Sequence, residues 1–207
     1  MTASPSTLSL DRPANSTRNL FHLGSGITAM LIVRFVPERE WLVAIAATLA
    51  ATAWTFEASR RFVPRWNDLL MAAFGPVAHA HERHHVNSGT WYVTAMLVLA
   101  LFVDPLPAAL GVMVLGAADP VAAQVGRRFG QVRIRRNRTL EGSAAFFLTA
   151  FLVSLLVLGL FWPGTDHAIL VALLAAGVGA VAELVSGTID DNLLIPLAVA
   201  GATSLLV

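Results

Sequence analysis

LPAALGVMVLGAADPVAAQVGRRFGQVRIRRNR, residues 106–138, decides the fold. Its first part, 106–126, is an apolar run of 21 residues with one ionisable side chain, Asp119, and its second, 127–138, holds six Arg in twelve residues. A helix of about 20 apolar residues is what a hydrocarbon core of about 30 Å requires. Arg clustered directly after such a run marks a loop that stays on the cytoplasmic side. The stretch therefore reads as a transmembrane helix that delivers the chain to an internal, strongly basic loop.

The rest of the chain follows the same grammar. Of its 207 residues 56% are hydrophobic and 13% charged, with mean hydropathy +0.68, whereas a soluble domain carries about 25% charged residues. Apolar stretches run approximately over 20–36, 41–59, 89–103, 106–126, 142–161, 168–187 and 192–207. The expectation is an all-α polytopic bundle of about seven transmembrane helices. The less apolar segment 66–80 contains Asn67, Asp68, Gly75 and Pro76 and reads as an interfacial or re-entrant piece. Residues 1–19 are polar, lack the apolar core and cleavage pattern of a signal peptide, and read as a cytoplasmic tail. Residues 20–207 then form a single transmembrane domain.

Orientation comes from Arg. With the N-terminus cytoplasmic, seven crossings put twelve Arg inside and only Arg34 and Arg39 outside, as the positive-inside rule requires. One span more or fewer would break this agreement at every later loop. The same topology gathers Glu57, Glu82, Asp119, Glu141, Glu183, Asp190 and Asp191 at the inner side, with Glu38, Glu40, Asp104 and Asp166 outside. An inner cluster of carboxylates and guanidiniums suits a metal and a polyphosphate. The chain has no Lys and no Cys, so Schiff-base chemistry, a GxxxxGK phosphate loop, disulfides and Cys-based metal sites are excluded.

Four constellations carry possible chemistry. Gly116, Asp119, Ala123, Gly126 and Gly130 recur at spacings of 3 and 4, one helical face that is small except for its acid. Such a face packs helices closely in a bilayer, and Pro120 beside Asp119 removes a helical hydrogen bond. An ionisable residue within a span is by default a functional candidate. After the Arg-rich loop, a lipid-headgroup anchor in any reading, Arg138 and Glu141 enter the next span with Gly142 and Ser143. A forked Arg and a carboxylate suit phosphoryl transfer, while Thr139 reads equally well as a helix cap. Glu183 shares a face with Gly179 and Gly187, and Asp190, Asp191 and Asn192 follow as successive hard oxygen donors, the kind Mg²⁺ prefers. A helix cap needs one acid, not such a run. Glu57 precedes Arg60 and Arg61 by three and four residues, which a helix-end ion pair also explains. The histidines of HAHERHH, 79–85, are too few for a di-iron site, which needs several such boxes.

Taken in order, these pieces resemble the CTP-dependent lipid-alcohol kinases: dolichol kinase, phytol and farnesol kinases, and the CTP-using diacylglycerol kinase. RNLFHLGSG at 18–26 is similar to that family's opening RKxxH…G element, and FEASRR at 56–61 to its Glu-and-Arg helix end. HERHHVNSGTWYVTA at 81–95 resembles its E…(T/S)GxxY stretch and GAADPVAAQVGRRFG at 116–130 its GDxxAxxxGxxxG signature. RTLEGSAAFF at 138–147 resembles K(S/T)xEGS, and GTIDDNLLIPL at 187–197 the closing DNLxxPL. The departures are Asn19 in the basic pair, Ala118 before Asp119, and Arg138 where the family has Lys. The related CDP-diacylglycerol synthases share the Asp and Glu-Gly elements, but their closing Gly-rich Asp-Arg signature is absent here.

The resemblance implies transfer of the terminal phosphate of CTP to the hydroxyl of a membrane lipid, with Mg²⁺, at the cytoplasmic face of a membrane. Asp119 and Asp191, with Asp190, are the implied metal ligands. Glu57, Glu141 and Glu183 are implied as base or orienting groups, beside Asp119. Arg18, Arg127, Arg128 and Arg138 are implied phosphate contacts, together with Gly116, Gly126 and Asn192, and His22 and Glu82 are further candidates. Two alternatives stand beside this one: a cytidylyltransferase, and a small transporter, for which no convincing internal repeat is found. The acceptor, whether polyprenol, phytol, a shorter prenol or diacylglycerol, is left open by the residues, as is the oligomeric state. Nothing suggests a nucleic-acid partner.

Overall fold

The computed structural model describes residues 16–62, 86–135, 138–187 and 189–207. They form seven helices: α1 (Ser16–Phe35), α2 (Arg39–Phe62), α3 (Ser88–Phe102), α4 (Pro105–Phe129), α5 (Leu140–Phe161), α6 (Ala168–Val185) and α7 (Asp191–Thr203). Each apolar stretch of the sequence has become one of them, and the chain is an all-α membrane bundle. α2, α4, α5 and α6 are long and apolar enough to cross a bilayer, whereas α3 and α7 are apolar but have only 15 and 13 residues. The segment 66–80, Glu82 and the HAHERHH histidines lie outside the described residues.

Two boundaries differ from expectation. Helix α1 begins at Ser16, inside the stretch read as a polar tail. The Arg-rich loop contains a small antiparallel hairpin, β1 (Arg133–Arg135) with β2 (Arg138–Thr139), which positions Arg138 as described below.

Helix α4 is the mast of the bundle, packed against α1, α5, α6 and α7, while α2 packs chiefly on α3. Fourteen of its residues are buried, half of them Gly or Ala, because backbones approach closely around it. A Cβ on Gly116 would lie 2.9 Å from Gly26 Cα and 3.0 Å from the His22 carbonyl, and one on Gly111 2.5 Å from the Pro196 carbonyl. Without a hydrophobic force between helices in lipid, such backbone contact is what binds α1 and α7 to α4. On the outside, Leu148, Leu152, Leu156 and Leu160 run down one face of α5, each more than half exposed. Such a stripe suits contact with lipid.

Alternation of helix direction sorts the polar residues to two ends. At one end Arg39 pairs with Asp104 at 3.1 Å, and Arg34 donates to the Phe161 carbonyl at 3.0 Å with its guanidinium over the Trp162 ring. At the other end lie the start of α1, the end of α2, the start of α3, the end of α4, the start of α5, the end of α6 and the start of α7. That second end holds the remaining chemistry.

Candidate functional site

The hairpin sets the site. Leu140 N–H donates to the Val132 carbonyl, and Val132 N–H donates back to the Glu141 carboxylate at 3.2 and 3.4 Å. Thr139 caps α5 by accepting the Gly142 N–H at 3.2 Å, and its side chain lies over Gly126 of α4. With both flanks fixed, Arg138 projects between α6 and α7.

Its guanidinium is a hub. One terminal nitrogen meets Glu183 Oε1 at 2.7 Å, and the other meets Asp191 Oδ2 at 3.2 Å and donates to Ser186 Oγ at 3.3 Å. Glu183 is 2% exposed, and its second oxygen accepts from Ser143 Oγ at 3.3 Å. Burial alone would make Arg138 easier to deprotonate, but Glu183, Asp119 and Asp191 more than offset that and hold its pKa above the ordinary value.

Asp190 and Asp191 open α7. Asp190 is its N-cap, with Oδ1 accepting the Asn192 N–H at 3.0 Å and Oδ2 accepting Ser88 Oγ at 3.1 Å. Burial, and then the charge of Asp191, raise the Asp190 pKa above the usual carboxylate range. Asn192 is buried, and its amide donates to Asp190 at 2.8 Å and Asp191 at 3.1 Å. It therefore orients the two acids.

Asp119 completes the group. The charges of Asp191, Arg138, Arg18 and Glu183 all act on it, and it makes no hydrogen bond or ion pair among the described residues. Arg18 and Asp191 also act on His22. Residues far apart in sequence thus converge: Arg18 and His22 from α1, Asp119 from α4, Arg138 before α5, Glu183 from α6 and Asp191 from α7.

Glu57 belongs to the same end one step removed. It is 3% exposed, paired with Arg60 at 2.6 Å and Arg61 at 3.4 Å, and it accepts the Asn87 N–H at 3.3 Å. Asn87 caps α3 by accepting from Gly89, and the next residue, Ser88, reaches Asp190. Glu57 thereby ties α2 to the start of α3 and, through it, to α7.

Other expected members do not join. Glu141 latches the hairpin, both its oxygens facing the Val132 amide. Gly116 and Gly126 are close-packing positions, the first against Gly26 and the second against Thr139 and Gly142. Arg127 and Arg128 end α4, with Arg128 over the Phe129 ring at 5.4 Å, and neither is among the charges acting on Asp119. Ser88, Asn87 and Ser186 are connecting residues that the sequence did not single out. The signal was present in the alternation of helix direction, which puts the start of α3 beside the start of α7.

The donor set fits a hard divalent cation: carboxylate oxygens of Asp119, Asp190 and Asp191, with no soft ligand. Among the described residues no three acidic or histidine side chains stand at metal-ligand spacing. The site thus sets Asp119, which has no hydrogen bond or ion pair among the described residues, within reach of the charges of Arg18 and Arg138.

Known proteins give the comparison. The chain is 28% identical over 190 residues to the phytol kinase of Synechocystis sp., an alignment spanning 89% of this chain and 76% of that protein. It is 26% identical over 192 residues to CTP-dependent diacylglycerol kinase 1 of Schizosaccharomyces pombe, with 87% and 88% covered. It is 34% identical over 83 residues to the dolichol kinase of Saccharomyces cerevisiae, 38% of this chain and 16% of that one. No protein-family model and no solved structure matches the chain.

Proposed function

The chain belongs to the CTP-dependent lipid kinase family, and on that premise we propose that it transfers the terminal phosphate of CTP to the hydroxyl of a membrane lipid alcohol. The observation that carries this reading is the convergence of Asp119, Asp191, Glu183, Arg138 and Arg18 at one end of the bundle. A lipid alcohol holds its hydroxyl at the interface, and a nucleotide reaches that level from water, so the reaction belongs at the end of a bundle and not in its middle.

The roles follow from each residue's partners. Asp119, unpaired, and Asp191, the more exposed partner of Arg138, are the residues that would hold Mg²⁺. When bound, it offsets the charge of the phosphates and of the transition state. Glu183 is buried and holds Arg138 in place, and Asn192 and Ser88 fix Asp190. Arg18 is the phosphate contact. The lipid hydroxyl oxygen bonds to the terminal phosphorus, the bridge to CDP breaks, and the hydroxyl proton is lost to a carboxylate of this group. Positioning donor and acceptor in line supplies most of the acceleration in such transfers.

Purified protein incubated with Mg²⁺, terminally labelled CTP and a panel of lipid alcohols tests the proposal. Label in the lipid with release of CDP is the expected result. Cytidine in the lipid with release of pyrophosphate would assign a cytidylyltransferase instead, and no transfer to any alcohol would overturn the reading.

A further inference from the structure

The connection between α4 and α5 carries more positive charge than the site uses. Residues 127–135 hold Arg127, Arg128, Arg133 and Arg135, and the one acid from there to the first turn of α5 is Glu141, whose oxygens accept the Val132 amide. Arg127, Arg128 and Arg133 have no ion pair or hydrogen bond among the described residues. None of the four is among the charges acting on Asp119. Interleaved with them are Phe129, Val132 and Ile134, each about half exposed. Guanidiniums without counter-charges attract phosphate, but a soluble nucleotide offers those apolar side chains nothing. A lipid surface accommodates both, headgroup phosphate for the Arg and the acyl boundary for the apolar groups. The level also fits: α4 ends at Phe129 and α5 starts at Leu140, both long and apolar enough to cross a bilayer, so their connection lies where headgroups lie.

Both arms of the hairpin reach the end of α6. Arg135 on the first donates to the Leu184 carbonyl at 3.1 Å, and Arg138 on the second meets Glu183 at 2.7 Å and Ser186 at 3.3 Å. One two-strand unit therefore grips residues 183–186 from two sides. At its root a Cβ on Gly130 would stand 2.7 Å from Thr139 Cγ2, so the first arm cannot shift without displacing the neighbour of Arg138. A two-stranded hairpin is marginal by itself in water. Whatever binds its exposed side thus decides how firmly Arg138 is held.

We propose that this hairpin docks on anionic phospholipid headgroups through Arg127, Arg128 and Arg133, with Phe129 and Ile134 entering the headgroup layer, and that the contact steadies Arg138 on Glu183 and Asp191. Phosphate transfer then rises with the anionic lipid of the surrounding leaflet. That consequence rests on the lipid-kinase reading, whereas the docking does not. Each basic residue near an anionic surface strengthens association roughly fivefold, and the attraction fades over about 8 Å at physiological ionic strength. The effect therefore belongs to lipids bordering the protein and weakens with salt.

The test compares the full chain in nanodiscs of phosphatidylcholine alone and of phosphatidylcholine with phosphatidylglycerol in equal parts. Because the chain has no cysteine, an environment-sensitive fluorophore on Ile134→Cys reports the hairpin alone, and its emission should shift to the blue with phosphatidylglycerol and return in high salt. Without nucleotide, hydrogen exchange should slow at least fivefold at the Val132 and Leu140 amides, which close the hairpin, and at residues 183–186. Transfer to a lipid alcohol should rise by a similar factor. Arg133→Gln should cut all three responses about fivefold and leave transfer in phosphatidylcholine unchanged, while Arg133→Lys, which keeps the charge, should restore them. Glycerol phosphate, the same chemistry without a surface, should produce none of them. An emission indifferent to phosphatidylglycerol, or a shift reproduced by glycerol phosphate, overturns the docking. A shift without slower exchange at residues 183–186 overturns the link to Arg138. Neither readout needs turnover, so both responses in a protein that transfers no phosphate in either lipid would refute the kinase reading alone.

Discussion

Removing the Arg138 side chain isolates what the buried charges require of one another. In Arg138→Ala, Glu183 stays 2% exposed but loses a charged partner at 2.7 Å, keeping only the Ser143 hydroxyl. Breaking a buried ion pair from one side costs about 3–5 kcal/mol. Arg138 is 25% exposed, so water can enter the gap, and the lower limit applies: about 3 kcal/mol, or roughly a hundredfold in the folding equilibrium. In Arg138→Ala/Glu183→Gln the stranded charge is gone, and stability should return to within about 1 kcal/mol of the parent, a recovery of about 2 kcal/mol. Arg138→Lys should fall between, because an ammonium cannot fork onto Glu183 and Asp191 together. Reversible unfolding in mixed micelles, followed by tryptophan fluorescence, measures all four proteins. Phosphate transfer should be lost in every variant lacking the guanidinium, whatever its stability. A single variant as stable as the parent, or a double variant no more stable than the single, would refute the reasoning.

Other expectations follow from single contacts. Asp119→Asn should abolish transfer with little change in unfolding, while Asp104→Asn, at the opposite end beside Arg39, should leave transfer intact; near-normal turnover of Asp119→Asn at both saturating and limiting Mg²⁺ would remove Asp119 from the chemistry. Gly116→Ala should destabilise by about 1–3 kcal/mol, since its Cβ would stand 2.9 Å from Gly26 Cα. Gly24→Ala meets nothing within 4 Å and should instead gain about 1 kcal/mol in the same unfolding assay. Because the chain has no cysteine, single cysteines at Glu40 and Arg133 should react with an impermeant thiol reagent from opposite sides of a sealed vesicle, and labelling from one side only would overturn the crossing pattern.

Much of the bundle was legible in the sequence because its determinants are local. A bilayer has one thickness, so each apolar run carries its own instruction to become a helix, and all seven runs did so. Alternation of direction then assigned each polar turn to an end. That is why Asp119, Glu183 and Asp191 could be expected together, and Asp104 apart from them, from residue numbers alone. The partners within an end were not legible. Glu141 and Glu183 read as equivalent carboxylates beside spans, yet one latches a hairpin and the other lies buried against Arg138. Gly116 and Gly24 are both helical glycines, but of the two only Gly116 touches another backbone. These outcomes depend on how each helix is rotated about its axis and on the two-strand hairpin that aims Arg138. Rotation is fixed by packing between helices distant in sequence. Hydropathy tells a helix that it must cross, whereas only its neighbours determine which side it turns toward them.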